Sequence, residues 1–209
     1  MKKVLIFLFI SLIFLFGFSD SNKTIYLDPG HGGFDGGASY LDIYEKDLSL
    51  EISLKLRDSL ILFGYNVLLT RDKDIDYSNN SNKKKKEDLN TRIKMIKESN
   101  CDLFISIHLN SSNNESYKGS QVFYTNNNSN NEIISKSLQD SLKSNLKNTH
   151  RNHLLIKNIY LLDNLYQPGC LVEVGFLSNK EERELLLTKD YQNKLVLSIV
   201  EGINNYFNI

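Results

Sequence analysis

Leu27-Asp28-Pro29-Gly30-His31-Gly32-Gly33-Phe34-Asp35-Gly36-Gly37-Ala38 is the stretch on which the fold turns. The residues leading into it, Thr24 to Asp28, form a short apolar run with β-formers and predict a buried strand. Pro29 removes a backbone donor and stops the ladder. Five glycines within eight residues then hold a single histidine, His31, on backbone that permits close approach to a ligand. A histidine at the carboxyl end of a first strand stands where open α/β sheets keep their sites. Taken alone it could equally be a solvated loop histidine, so the rest of the chain decides.

Downstream, Asp47 is placed to cap a helix running to about Phe63, with Leu48, Ile52, Leu56 and Leu60 as its buried stripe and Gly64 as its stop. Tyr65 to Thr70 reads as a second strand, completing a β-α-β unit. Arg71 to Glu87 is polar and ends in Lys83-Lys84-Lys85-Lys86, the pattern of a solvated loop. Asp88 opens a helix carrying Leu89, Ile93 and Ile96, and Asp102 to Ile107 is a third buried strand with His108 at its carboxyl end. Ser120 to Thr125 is a further strand, and Ser129 with Glu132 has capping-box spacing ahead of Ile134, Leu138, Leu142 and Leu146. Ile159 to Leu162 suggests a short strand, and Gly169 to Val174 a clear one carrying Glu173. Asn179 with Glu182 opens the next helix, and Leu195, Ile199 and Ile203 mark the last. Strands alternating with helical stripes imply a single α/β domain, a twisted and mostly parallel sheet flanked by helices on both faces.

Composition sets outer limits. The chain has 209 residues, 41% hydrophobic and 24% charged, which suits one α/β domain. Lys+Arg and Asp+Glu both number 25, so nothing points to nucleic acid as a partner. Lys2 and Lys3 precede an apolar run from Val4 to Phe18. As a helix that run covers roughly 22 Å, short of a ~30 Å hydrocarbon core. Residues 1–19 therefore read as a signal peptide or a retained membrane anchor, ahead of a domain spanning 24–209 that works outside the cytoplasm. Cys101 and Cys170 lack CxxC spacing and are expected as two separate buried thiols.

His31, His108 and Glu173 fall at or just past the carboxyl ends of three predicted strands, and Glu45 lies just ahead of the first long helix. In a parallel sheet those ends share one side, so the four can converge. Two imidazoles and one carboxylate are a known ligand set for catalytic zinc. A carboxylate between two valines of a core strand is costly unless paired or used, which suits Glu173 to a base's role beside the metal. The competing reading gives Glu173 a salt bridge to a neighbour such as Arg92. His150 and His153, three residues apart in a polar stretch, are expected on the surface. Dinucleotide and P-loop readings fail, because Asp35 stands where a third glycine is needed and Ala38 where a lysine is required. A glycosidase built on Asp28 and Glu173 would leave both histidines without a role.

Four segments carry a resemblance. Leu27 to Ala38, Glu45-Lys46-Asp47, Ser106-Ile107-His108-Leu109-Asn110, and Val172-Glu173-Val174-Gly175-Phe176-Leu177-Ser178-Asn179 resemble, in order, the motifs of zinc-dependent N-acetylmuramoyl-L-alanine amidases. Within that family the chain most resembles the short sporulation and germination amidases that help make muramic lactam in spore cortex. The resemblance implies Zn²⁺ held by His31, Glu45 and His108, Glu173 as the catalytic carboxylate, and peptidoglycan strands with stem peptides as substrate. The glycine loop is expected to offer backbone N–H groups to substrate or a developing oxyanion, and Leu109, a departure where many members of the family carry a small residue, is expected to narrow the pocket. An inactive peptidoglycan-binding or regulatory member of the same fold is the alternative. With no module for gripping the wall, the chain is also expected to use its leader, or an extracytoplasmic localising or regulatory protein, with the membrane touched only through the leader.

Overall fold

Six strands form one sheet in the order β4 (Asn66–Leu69), β1 (Thr24–Pro29), β5 (Leu103–Asn110), β8 (Gly169–Phe176), β6 (Gln121–Tyr124), β7 (Leu154–Leu155). This computed structural model describes residues 23–79 and 84–208. The expected leader at 1–19 and Lys83 of the lysine run lie outside the described residues. The first four strands in the sheet order are parallel, while β6 runs antiparallel to β8 and β7 parallel to β6, so the sheet is mostly parallel as expected. A two-stranded hairpin, β2 (Ser39–Tyr40) and β3 (Ile43–Tyr44), stands apart.

The strand period of two sorts the side chains between two unequal faces. Ile25, Leu27, Leu103, Ile105, Ile107, Cys170, Val172 and Val174 point into the larger core. Covering them are the predicted stripes of α1 (Glu45–Leu62), α3 (Asn130–Leu146) and α6 (Lys189–Phe207). Leu56 is fully buried here, and cutting it to alanine would cost about 2–5 kcal/mol. On the other face Tyr26, Phe104 and Leu171 are covered mainly by α2 (Lys84–Ser99), the single turn α4 (Tyr160–Asp163) and the segment around it. This thinner cover leaves the carboxyl ends of the strands open.

Connectivity puts a crevice at the same place. The β1–α1–β4 connection covers one face and β4–α2–β5 the other, so the chain departs in opposite directions from β1 and β5. Such a switch point is where open α/β sheets bind ligands.

Several local expectations give way to tertiary context. Ser129 makes no side-chain cap, and Ile159 to Leu162 contributes to a helical turn rather than a strand. Glu45 is the first residue of α1 rather than a residue ahead of it, and the cap position is Tyr44, not Asp47. Lys84, Lys85 and Lys86 form the first turn of α2, not a loop, and Arg71 is buried. Asn179 does cap α5 (Lys180–Leu186), accepting from the Glu182 N–H at 3.0 Å. Cys101 and Cys170 are free and buried, as expected.

Candidate metal centre

The loop after β1 is built before any ligand is considered. Asp28 is buried at the end of β1, and burial works against its charge; Arg92, Ser106 and Thr70 outweigh that and hold its carboxyl below the usual range. The contacts are Arg92 at 3.0 Å, Ser106 Oγ at 2.6 Å and Thr70 Oγ1 at 2.7 Å. Arg92 also pairs with Asp88 at 2.7 Å and donates to the carbonyls of Pro29 and His31 at 2.8 and 2.5 Å. Buried Arg71 adds bonds to the carbonyls of Pro29, Gly30 and Lys46 at 3.1, 2.8 and 2.8 Å. Two guanidiniums thus fix the carbonyls of the loop. Arg92 is therefore not the partner of Glu173, and Asp28, saturated with donors, is not a free carboxylate for sugar chemistry.

The glycines serve packing, not anion binding. A Cβ on Gly30 would overlap the His108 ring, and one on Gly37, at φ 68, would lie 2.6 Å from Glu45 Oε2. Most of the loop's N–H groups are already committed. Gly30, Gly32, Gly33, Gly37 and Ala38 donate to Ile107 O, Asp35 O, Asp74 Oδ1, Asp35 Oδ1 and Glu45 Oε2 respectively. The expectation that they face substrate fails for these five.

His31, Glu45 and His108 come together as the sequence reading anticipated. Their potential ligand atoms all lie within 4.8 Å of one another, a grouping that can hold a metal ion. Glu45 stands between the rings, its Oε2 at 3.1 Å from His31 Nε2 and its Oε1 at 2.9 Å from His108 Nδ1. Donors sharing a tetrahedral ion at about 2.0–2.1 Å are about 3.3 Å apart, so a set spanning no more than 4.8 Å with one atom from each residue needs only small side-chain shifts to close on an ion. Each carboxylate oxygen also accepts one backbone N–H, Ala38 at 2.8 Å and Leu109 at 3.0 Å, which fixes the carboxylate plane. Burial works against Glu45's charge, but the two histidines hold its pKa well below the usual range. Burial likewise lowers His31, yet Asp35 and Glu45 carry it up to about 9.

Glu173 faces the same space from β8, where it pairs in register with His108. Beyond that pair the register shifts, a bulge of the kind that re-aims side chains beside sites. Its Oε2 is buried with no hydrogen-bond partner among the described residues. Burial pushes its pKa up to about 7, with Glu45 adding to the rise and His108 opposing it. A cleft of about 410 Å³ joins His31, His108 and Glu173 to Lys85, Asn158 and Tyr160 on the α2/α4 side.

Leu109 does not narrow this cleft. Strand alternation turns it into the large core, 2% exposed, while His108 and Glu173 take the open face. His150 is exposed, and His153 lies 3.9 Å from Glu132 away from the cleft, so the surface reading of both fits. No local pattern in the sequence points to Asp35, Arg71 or Lys85. Asp35 offered only its place four residues past His31, and the arginines act across separations no local pattern reveals.

Comparison with known proteins agrees with this geometry. The family model for N-acetylmuramoyl-L-alanine amidase matches residues 25–205. The germination-specific N-acetylmuramoyl-L-alanine amidase of Bacillus subtilis is 44% identical over 216 residues, 95% of this chain and 91% of that one. Among solved structures, the CwlD amidase of Clostridioides difficile in complex with the GerS lipoprotein superposes with a TM-score of 0.86 at 40% identity, covering 90% of this chain and 99% of that one. The catalytic domain of the CwlV amidase of Bacillus (Paenibacillus) polymyxa gives 0.78 at 28% identity, over 90% and 99% of the two chains.

Proposed function

This chain belongs to the N-acetylmuramoyl-L-alanine amidase family, and from that premise we propose that it is a zinc hydrolase of spore-cortex peptidoglycan. The bond cut is the amide between the lactyl group of N-acetylmuramic acid and L-alanine of the stem peptide. The observation that carries the reading is a buried glutamate held between two imidazoles, with a second, unpartnered glutamate facing the same cleft.

His31, Glu45 and His108 would hold the ion. Zinc so bound supplies Lewis acidity toward the scissile carbonyl and makes water a stronger acid. Glu173 accepts a proton from the attacking water and returns it to the departing alanine amine. In the metal-free protein burial lifts the Glu173 carboxyl toward neutrality, and a bound cation would favour its charged, proton-accepting form. The α2/α4 wall, with Lys85 and Tyr160, shapes the side of the cleft on which the substrate lies.

The similarity to a germination-specific amidase supports work in the spore cortex, outside the cytoplasm. The relative solved with a lipoprotein supports an extracytoplasmic partner that localises or regulates this chain as well. Spores made without this protein test the cortex assignment. Their cortex is expected to lack muramic lactam, and normal lactam content would overturn that assignment.

A further inference from the structure

His31 turns its two ring nitrogens to two different carboxylates. Nε2 lies 3.1 Å from Glu45 Oε2, and Nδ1 lies 3.0 Å from Asp35 Oδ2. The Nδ1 contact is short but bent, and buried Nδ1 has no well-aligned partner among the described residues, which leaves Asp35 as the acceptor within reach. Asp35 is itself held on several sides. Its backbone exchanges both hydrogen bonds with Gly32, at 2.9 and 3.0 Å, and its Oδ1 accepts the Gly37 N–H at 3.1 Å. Lys85, from the first turn of α2, brings Nζ to 3.3 Å from Oδ2. His31 meanwhile has φ 61, uncommon for a residue with a side chain, so the loop dictates its backbone and only the ring remains to be aimed.

We propose that Asp35 is a positioning residue for His31: by accepting the Nδ1 hydrogen it selects the tautomer whose lone pair is on Nε2 and aims that lone pair between Glu45 and His108. The proposal rests on the reading of His31 as a metal ligand. It follows the general pattern in which a ligating imidazole donates its other N–H to a carboxylate. The two histidines then differ in kind. His108 turns Nδ1 toward Glu45, at 2.9 Å, and its ring occupies the space a side chain on Gly30 would fill, whereas His31 is aimed by Asp35. Lys85 ties that aim to the wall of the substrate cleft.

The test uses the full chain with zinc affinity measured by chelator competition and the visible spectrum of the cobalt-substituted protein. Asp35→Ala is expected to weaken zinc binding by about 10–100-fold and to alter the cobalt spectrum. Asp35→Asn keeps an acceptor oxygen and is expected to recover most of the affinity and the wild-type spectrum. The role is overturned if Asp35→Ala binds zinc within about 2-fold of wild type. It is equally overturned if both variants lose affinity alike with the cobalt spectrum unchanged, since Asp35 would then only hold the loop. His31→Ala separates the two ideas. If it binds zinc as tightly as wild type, His31 is no ligand and both the reading and the role of Asp35 fall. If it loses zinc while Asp35→Ala does not, only the role of Asp35 falls.

Discussion

Exchanging Glu173 for glutamine is expected to stabilise the metal-free protein while nearly abolishing turnover by the loaded enzyme. The side chain's pKa rises from 4.5 to about 7, chiefly because burial penalises its charge. A raised carboxylate pKa means that the fold prefers the protonated form. The penalty is absent below the unfolded value, builds between 4.5 and about 7, and is fully present above. At about 1.4 kcal/mol per pH unit the ceiling is about 3.5 kcal/mol. The residue is partly exposed, which reduces it. Glutamine carries no charge and escapes the penalty. At about 2–4 °C per kcal/mol for a domain of this size, Glu173→Gln should melt about 4–10 °C above wild type at pH 8 and within about 1 °C of it at pH 4. The assay is thermal unfolding followed by circular dichroism in excess chelator at both pH values. Turnover of the zinc-loaded variant should fall by about 10²–10⁴-fold, the usual weight of positioned proton transfer. A variant that is less stable at pH 8, or one that gains equally at both pH values, would refute the burial argument. Retained turnover would remove Glu173 from the chemistry.

Alanine at His31, Glu45 or His108 should each strip most of the zinc, while the double replacement of His150 and His153 should leave metal content unchanged by elemental analysis. Because His31 is carried up to about 9 and must be neutral to bind an ion, apparent zinc affinity should climb about tenfold per pH unit below that value and level off above it, as read by competition titration. Arg92→Leu leaves Asp28 charged, buried and unpaired, and should cost about 3–5 kcal/mol in denaturant unfolding.

Periodicity made most of the fold legible before any coordinates. The stripes Leu48–Ile52–Leu56–Leu60 and Ile134–Leu138–Leu142–Leu146 are buried helix faces, because a run every fourth residue has only one way to leave water. That His31, His108 and Glu173 share one cleft was legible because strand ends in a parallel sheet share a side, and Glu173 stood out because a lone carboxylate in an apolar strand demands a reason. What stayed hidden depends on contacts between distant residues. Ser129 has the spacing of a cap but does not act as one, and the lysines of α2, exposed as their charge suggests at Lys85 and Lys86, open a helix where a loop was expected. Leu109 looked like a cleft residue by its adjacency to His108, yet one step along a strand reverses the face. Arg71 and Arg92 reach the loop from 41 or more residues away, so their partners were not readable from neighbouring sequence.

Mass analysis of muropeptides incubated with the zinc-loaded chain bears most directly on the assignment. Intact glycan bearing free lactyl carboxylates, together with released stem peptides beginning at L-alanine and absent when chelator is added, is the predicted outcome. Cleaved sugar linkages with the lactyl amide intact, or the same products at full rate in chelator, would contradict a metal-dependent amidase.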